Sequence, residues 1–115
     1  MPHVLISCPK GARRSEKDQI ALCILRECAA IPALELDDRR KFTMDLEEEN
    51  RIFGNDIIVI FQGLYKTHAR STRVLRQMTE AVAGALKAHF HEKEDAGVEC
   101  FIDHGDRETC SYAAF

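Results

Sequence analysis

Tryptophan is absent from this chain, and aromatic residues together make up only 7% of its 115 positions. The core must therefore be built from Ile, Leu, Val, Met, Ala and Cys. No apolar run approaches the roughly 20 residues of a membrane span, so no membrane partner is expected. The N-terminus lacks a basic region followed by an apolar stretch, and no secretory signal is expected. An excess of positive charge is missing too: 16 Lys and Arg stand against 19 Asp and Glu, for a net charge of −3. Phosphate backbones call for a basic stripe, so nucleic acid is not expected as a partner. There is no Gly-rich phosphate loop, and no serine sits in a nucleophile elbow. The five cysteines are odd in number and form no C-x-x-C. They read as small buried hydrophobes in a reduced, cytoplasmic protein rather than as a disulfide framework.

What remains is one domain, residues 1–115, too short for two cores. A chain of this size buries only about two-thirds of its surface alone. Val4-Leu5-Ile6-Ser7-Cys8 is a short apolar run stopped by Pro9 and Gly11, which predicts a buried strand. Ser15-Glu16-Lys17-Asp18 has the pattern of a capping box. Ile20, Cys23, Ile24 and Cys28 then follow on one helical face up to Pro32. Lys41 to Leu46 alternates, predicting a strand with one apolar side, and the acidic 47–49 stretch predicts a solvated loop. Ile57-Ile58-Val59-Ile60-Phe61 is the strongest strand signal. Ser71 is placed to cap a helix carrying Val74, Leu75, Met78, Val82, Ala85, Leu86 and Phe90, and Val98 to Ile102 alternates again.

The order is β-α-β-β-α-β. Arg14-Ser15 recurs as Arg70-Ser71 at an offset of 56, and the same offset carries 41–46 onto 97–102. This is an α/β (α+β) chain of duplicated β-α-β units, pseudo-repeats 2–55 and 56–115. They predict a four-stranded mixed sheet with two helices on one face. The first and third strands are apolar at consecutive positions, so they belong in the centre with both faces buried. Two helices cover one face only, and a homo-oligomer is expected to cover the other. A ferredoxin-like domain has the same element order. Its RNA-binding form needs exposed aromatics on the central strands, where this chain has mostly Ile and Val.

Pro2 follows the initiator Met and opens the first central strand. Removal of Met1 would leave a secondary amine there. A free α-amine titrates near 7.7–8.0; burial and nearby cations disfavour its charged form, which suits a neutral general base. Met1-Pro2-His3, the strand ending in Cys8, Ala69-Arg70-Ser71 at the second strand-to-helix turn, Ala88-His89-Phe90 and the terminal Tyr112-Ala113-Ala114-Phe115 together resemble the tautomerase superfamily. The pattern is similar to its 5-carboxymethyl-2-hydroxymuconate isomerase and macrophage migration inhibitory factor-like branches, with Ala69 where the family usually has Gly.

The resemblance implies a homotrimer without metal or organic cofactor, in which Pro2 moves a proton between enol and keto forms of a 2-oxo or 2-hydroxy acid. Proline-based hydration, dehalogenation or decarboxylation is the related alternative, and a catalytically silent binding or signalling protein the other. An arginine is needed to hold the carboxylate and stabilise enolate charge. Arg70 matches the family's arginine, Arg39 and Arg40 precede the second strand where another is often found, and Arg73 adds to the field. Asp38 matches an aspartate of the decarboxylase relatives, with an exposed charged turn as the ordinary alternative. Phe101, Tyr112 and Phe115 are candidates for an apolar wall of the proline site, or for packing against a neighbouring subunit. His89, His91, Glu92 and His104 lack helical metal-ligand spacing and are read as polar residues, so no metal site is assigned.

Overall fold

The computed structural model describes residues 2–8, 14–36, 39–47, 53–64, 70–89, 97–103 and 111–115, with only the backbone described at 14, 39, 47, 111, 112 and 114. Strand β1 (His3–Ser7) leads to helix α1 (Arg14–Ala29) and strand β2 (Thr43–Glu47). Strand β3 (Ile57–Gln62), helix α2 (Thr72–His89) and strand β4 (Val98–Asp103) repeat that pattern, and a short strand β5 (Ser111–Ala114) closes the chain. The sheet order is β2-β1-β3-β4-β5. Pairing is parallel within each β-α-β unit and antiparallel where β1 meets β3 and β4 meets β5.

The four expected strands and two helices are all present, with β1 and β3 central. Three details differ from the sequence reading. The sheet gains a fifth strand, β5. Strand β2 runs from Thr43 to Glu47 rather than from 41 to 46: Arg39–Lys41 forms a 3-10 turn, and Glu47, expected in a loop, pairs with Ser7 of β1. Helix α1 begins at Arg14, so Ser15 lies inside the first turn instead of capping it. Ser71 does cap α2: its Oγ accepts the Val74 N–H at 3.3 Å. Pro32 follows α1 and opens a second 3-10 turn, Pro32–Leu34. Phe90, His91, Glu92 and His104 lie outside the described residues.

Alternate residues of β1, β3 and β4 are buried. That side carries Val4, Ile6, Val59, Phe61, Cys100 and Ile102 against Ile20, Ile24, Leu75, Met78, Val82 and Leu86 from the helices. The 3–4 residue spacing of the helical set makes this possible. The helices are tied at one end by His89 Nε2 and Gln19 Oε1, 2.9 Å apart. Cys8, Cys23, Cys28 and Cys100 are free and buried in this core. Burial pushes the Cys28 thiol up to about 12 and raises Cys100 and Cys23 as well, Arg26 opposing the shift at Cys23.

Among the described residues no helix packs on the other face, and its Leu5, Ile58, Ile60 and Phe101 are only half-buried. Strand register lines up Asp45, Leu5, Ile60, Phe101 and Tyr112 across it, with Ile58 one row along. His3, Ser7, Gln62, Glu99 and Asp103 border this stripe.

Gly84 lies inside α2, and a Cβ placed there meets nothing within 4 Å. Gly84→Ala is expected to stabilise the fold by about 0.5–1 kcal/mol, since alanine restricts the unfolded chain and favours helix. Thermal unfolding should show a midpoint a few degrees higher; a lower midpoint would contradict this reading of α2.

Candidate functional site

Strand register brings the start of β1, the start of β2, the end of β3, the end of β4 and the start of β5 to one end of the sheet. His3 stands between Thr43 and Gln62, Gln62 faces Asp103, and Ile102 faces Ser111. Pro2 is buried at this end. Its carbonyl accepts the Thr43 N–H at 3.1 Å, which fixes the first residue of the central strand to the first residue of β2. A proline fits here because its missing N–H is not asked to join a ladder.

The arginines come to the same end by two routes. The turn Arg39–Lys41 runs directly into β2 and carries Arg39 and the exposed Arg40. Strand β3 finishes beside the start of β1, and Arg70 lies two residues before α2, whose first turn carries the exposed Arg73. Arg70 is half-buried. Its Nε and Nη2 both donate to the Leu34 carbonyl, at 3.1 and 2.8 Å.

Phe101 is half-buried on the open face, two strands from β1, and the register sets Tyr112 opposite it. Phe115 is placed differently from the expectation that it walls the proline site. It exchanges two backbone hydrogen bonds of 2.8 Å with Val98. Val98 faces Ile57, five residues along β3 from Gln62. At about 3.3 Å per residue that is roughly 17 Å from the Pro2 end, so within one chain Phe115 does not line the site. The antiparallel return of β5 along β4 dictates this. Asp38 lies outside the described residues.

The sequence reading missed a contact beside Pro2. His3 Nε2 lies 2.6 Å from Asp45 Oδ2, on the uncovered face, joining β1 to β2. Only the pairing register brings these two residues, 42 positions apart, together. Among the described residues no group of three or more His, Cys, Asp or Glu is arranged to hold a metal ion, and no helix is long and apolar enough to cross a membrane.

No protein-family model matches the sequence, and no curated protein is recognisably similar to it. Solved structures do match the fold. A fused 4-OT wild-type symmetric trimer aligns over 84% of this chain and 80% of its own, with TM-score 0.53 and 12% identity. MIF2 of Leishmania major aligns over 93% and 94%, with TM-score 0.55 and 12% identity. FG41 malonate semialdehyde decarboxylase, inhibited by 3-bromopropiolate, aligns over 89% and 82%, with TM-score 0.52 and 14% identity. These are tautomerase-superfamily structures, and this chain has their fold.

Proposed function

We propose that the chain is a homotrimeric member of the tautomerase superfamily that isomerises an enol or keto 2-oxo acid, with Pro2 as general base and then acid. The observation that carries this is the placement of a buried Pro2 at the head of a central strand. Arg39, Arg40, Arg70 and Arg73 are drawn to the same end of a sheet with this fold. A secondary amine in a buried position favours its neutral form. Arginines around it favour an anionic substrate and the charge that develops on the enolate oxygen. The half-buried apolar stripe on the open face, together with a trimer among the fold neighbours, supports three chains meeting on that face. Buried free thiols fit a reducing, cytoplasmic setting. Tyr112 and Phe101 then stand where a neighbouring chain meets this one, and Asp38 stays a candidate on the approach to Arg39. The substrate is a small 2-hydroxymuconate-like or phenylpyruvate-like acid. Decarboxylation or hydration of a related acid uses the same groups, a reading favoured by the decarboxylase among the neighbours.

The mechanism requires a free amine on Pro2, and a covalent probe tests that directly. The chain is treated with 3-bromopropiolate, the inhibitor in the decarboxylase structure, and digested for mass spectrometry. The expected result is an N-terminal peptide that begins at Pro2 and carries the adduct on the proline. Retention of Met1, or labelling spread over other side chains with Pro2 unmodified, would sink the proline mechanism.

A further inference from the structure

The family resemblance gives Arg70 the task of gripping substrate, but the geometry around it points elsewhere. A guanidinium grips a carboxylate bidentately along one of two edges, Nε with Nη2 or Nη1 with Nη2. In this chain the Nε–Nη2 edge is already seated on a backbone carbonyl, that of Leu34, 36 positions away in sequence.

That carbonyl is not an arbitrary acceptor. Leu34 ends the 3-10 turn Pro32–Leu34 and its side chain is fully buried. The last carbonyls of any helical turn have no partner within it. Here the turn is otherwise closed by Leu34 N–H to Ile31 O and by Glu35 N–H to Pro32 O, each at 3.1 Å. The next residue, Glu35, lies in the left-handed region at φ 58, where the chain reverses. A reversal through a non-glycine residue needs its surroundings to hold it. Two charge-assisted bonds from Arg70 to the preceding carbonyl do so.

The held turn precedes the site along the sequence. From Leu34 the chain passes to the Arg39–Lys41 turn and then to Thr43, whose N–H binds the Pro2 carbonyl at 3.1 Å. Arg70 therefore ties the entry of α2, in the second half of the chain, to the segment of the first half that sets Arg40 and the partner of Pro2.

We propose that Arg70 is a positioning residue. It clamps the Pro32–Leu34 turn and so sets the 39–43 segment against Pro2, while Arg40 and Arg73, whose side chains are exposed, meet the substrate carboxylate. The assignment of substrate contacts rests on the proline-enzyme reading; the clamp does not.

The test uses the full chain and three variants, Arg70→Met, Arg70→Lys and Arg73→Met. Amide hydrogen exchange is followed over residues 31–43, and kcat and KM are measured with phenylenolpyruvate. Arg70→Met is expected to lower protection of the Leu34, Glu35 and Thr43 amides by about tenfold or more, a local opening. Its kcat should fall while KM stays within about threefold, the signature of lost alignment rather than lost binding. Arg70→Lys retains an N–H donor for the Leu34 carbonyl and should recover most of the protection and kcat. Arg73→Met should leave protection unchanged and raise KM by about tenfold.

Unchanged protection over 31–43 in Arg70→Met, or a KM rise larger than its kcat loss, overturns the proposal. If Arg70→Met does not fold, Arg70→Lys decides on the same two criteria: protection and kcat near wild type support the clamp, and a dominant KM rise overturns it. If the wild-type chain turns over no enol acid, that counts against the proline reading alone, and the exchange measurement still decides the clamp.

Discussion

Replacing Pro2 with alanine is expected to lower kcat/KM for an enol acid by about 100-fold, while the chain keeps its fold. General acid–base groups contribute about 10²–10⁴-fold, and the lower end applies because alanine still offers an α-amine at the same place. A 100-fold loss corresponds to about 2.7 kcal/mol of transition-state stabilisation. The loss should fall on kcat and kcat/KM together, since the arginines proposed to hold the ground-state carboxylate are untouched. Stopped assays over a pH series give a second reading. If Pro2 is the base as proposed, the acid limb of kcat/KM for the wild-type chain reports its free amine, and that limb should lie below the ordinary 7.7–8.0 of an α-amine because burial and arginines both disfavour the ammonium. A Pro2→Ala chain within threefold of wild type would remove Pro2 from the chemistry.

The second large effect concerns assembly. If the chain assembles as the proposed trimer, Ile60→Asp is expected to convert it to a monomer. Sedimentation should then read the 13.1 kDa chain in place of roughly 39 kDa, three times that mass. Ile60 stands mid-stripe on the uncovered face, between Leu5 and Phe101. In a single chain that position is only half-buried, so an aspartate there keeps much of its water. Sealed between chains, the same carboxylate would lose that water without a partner, which costs several kcal/mol in each subunit. The variant should therefore fold but not associate, and turnover should fall with assembly if the site is completed where chains meet. A variant that sediments as the wild type does would show that this face is not the contact.

Most of the architecture was legible in the residues. Consecutive apolar positions in 4–8 and 57–61 placed β1 and β3 in the centre. The 3–4 spacing from Ile20 to Cys28 and from Leu75 to Leu86 gave each helix its buried side, and Ser71 marked the start of α2. Strand β5 was not legible, because Ser-Tyr-Ala-Ala has neither length nor alternation. Its strand character comes from β4, which would otherwise present an open edge. The pair of backbone bonds between Phe115 and Val98 completes that pairing and carries Phe115 away from Pro2. The bond from Arg70 to Leu34 was equally hidden. A main-chain carbonyl is present at every residue, so the choice of acceptor leaves no trace in side-chain spacing. His3 and Asp45 met for a similar reason: the register of two strands, not the identity of either residue, sets them side by side.

The sealed thiols of the core also make the molecule its own gauge of opening. Only the thiolate attacks an alkylating reagent, and at pH 8 a thiol titrating at about 12 is ionised about once in 10⁴ molecules. Exposure restores ordinary reactivity, so a labelling rate at Cys28 or Cys100 counts excursions that break the packing between helices and sheet. Cys8, on the same buried side just beyond β1, samples the sheet itself. Labelling these sites together or in succession would distinguish one cooperative opening from a helix layer that lifts before the strands part.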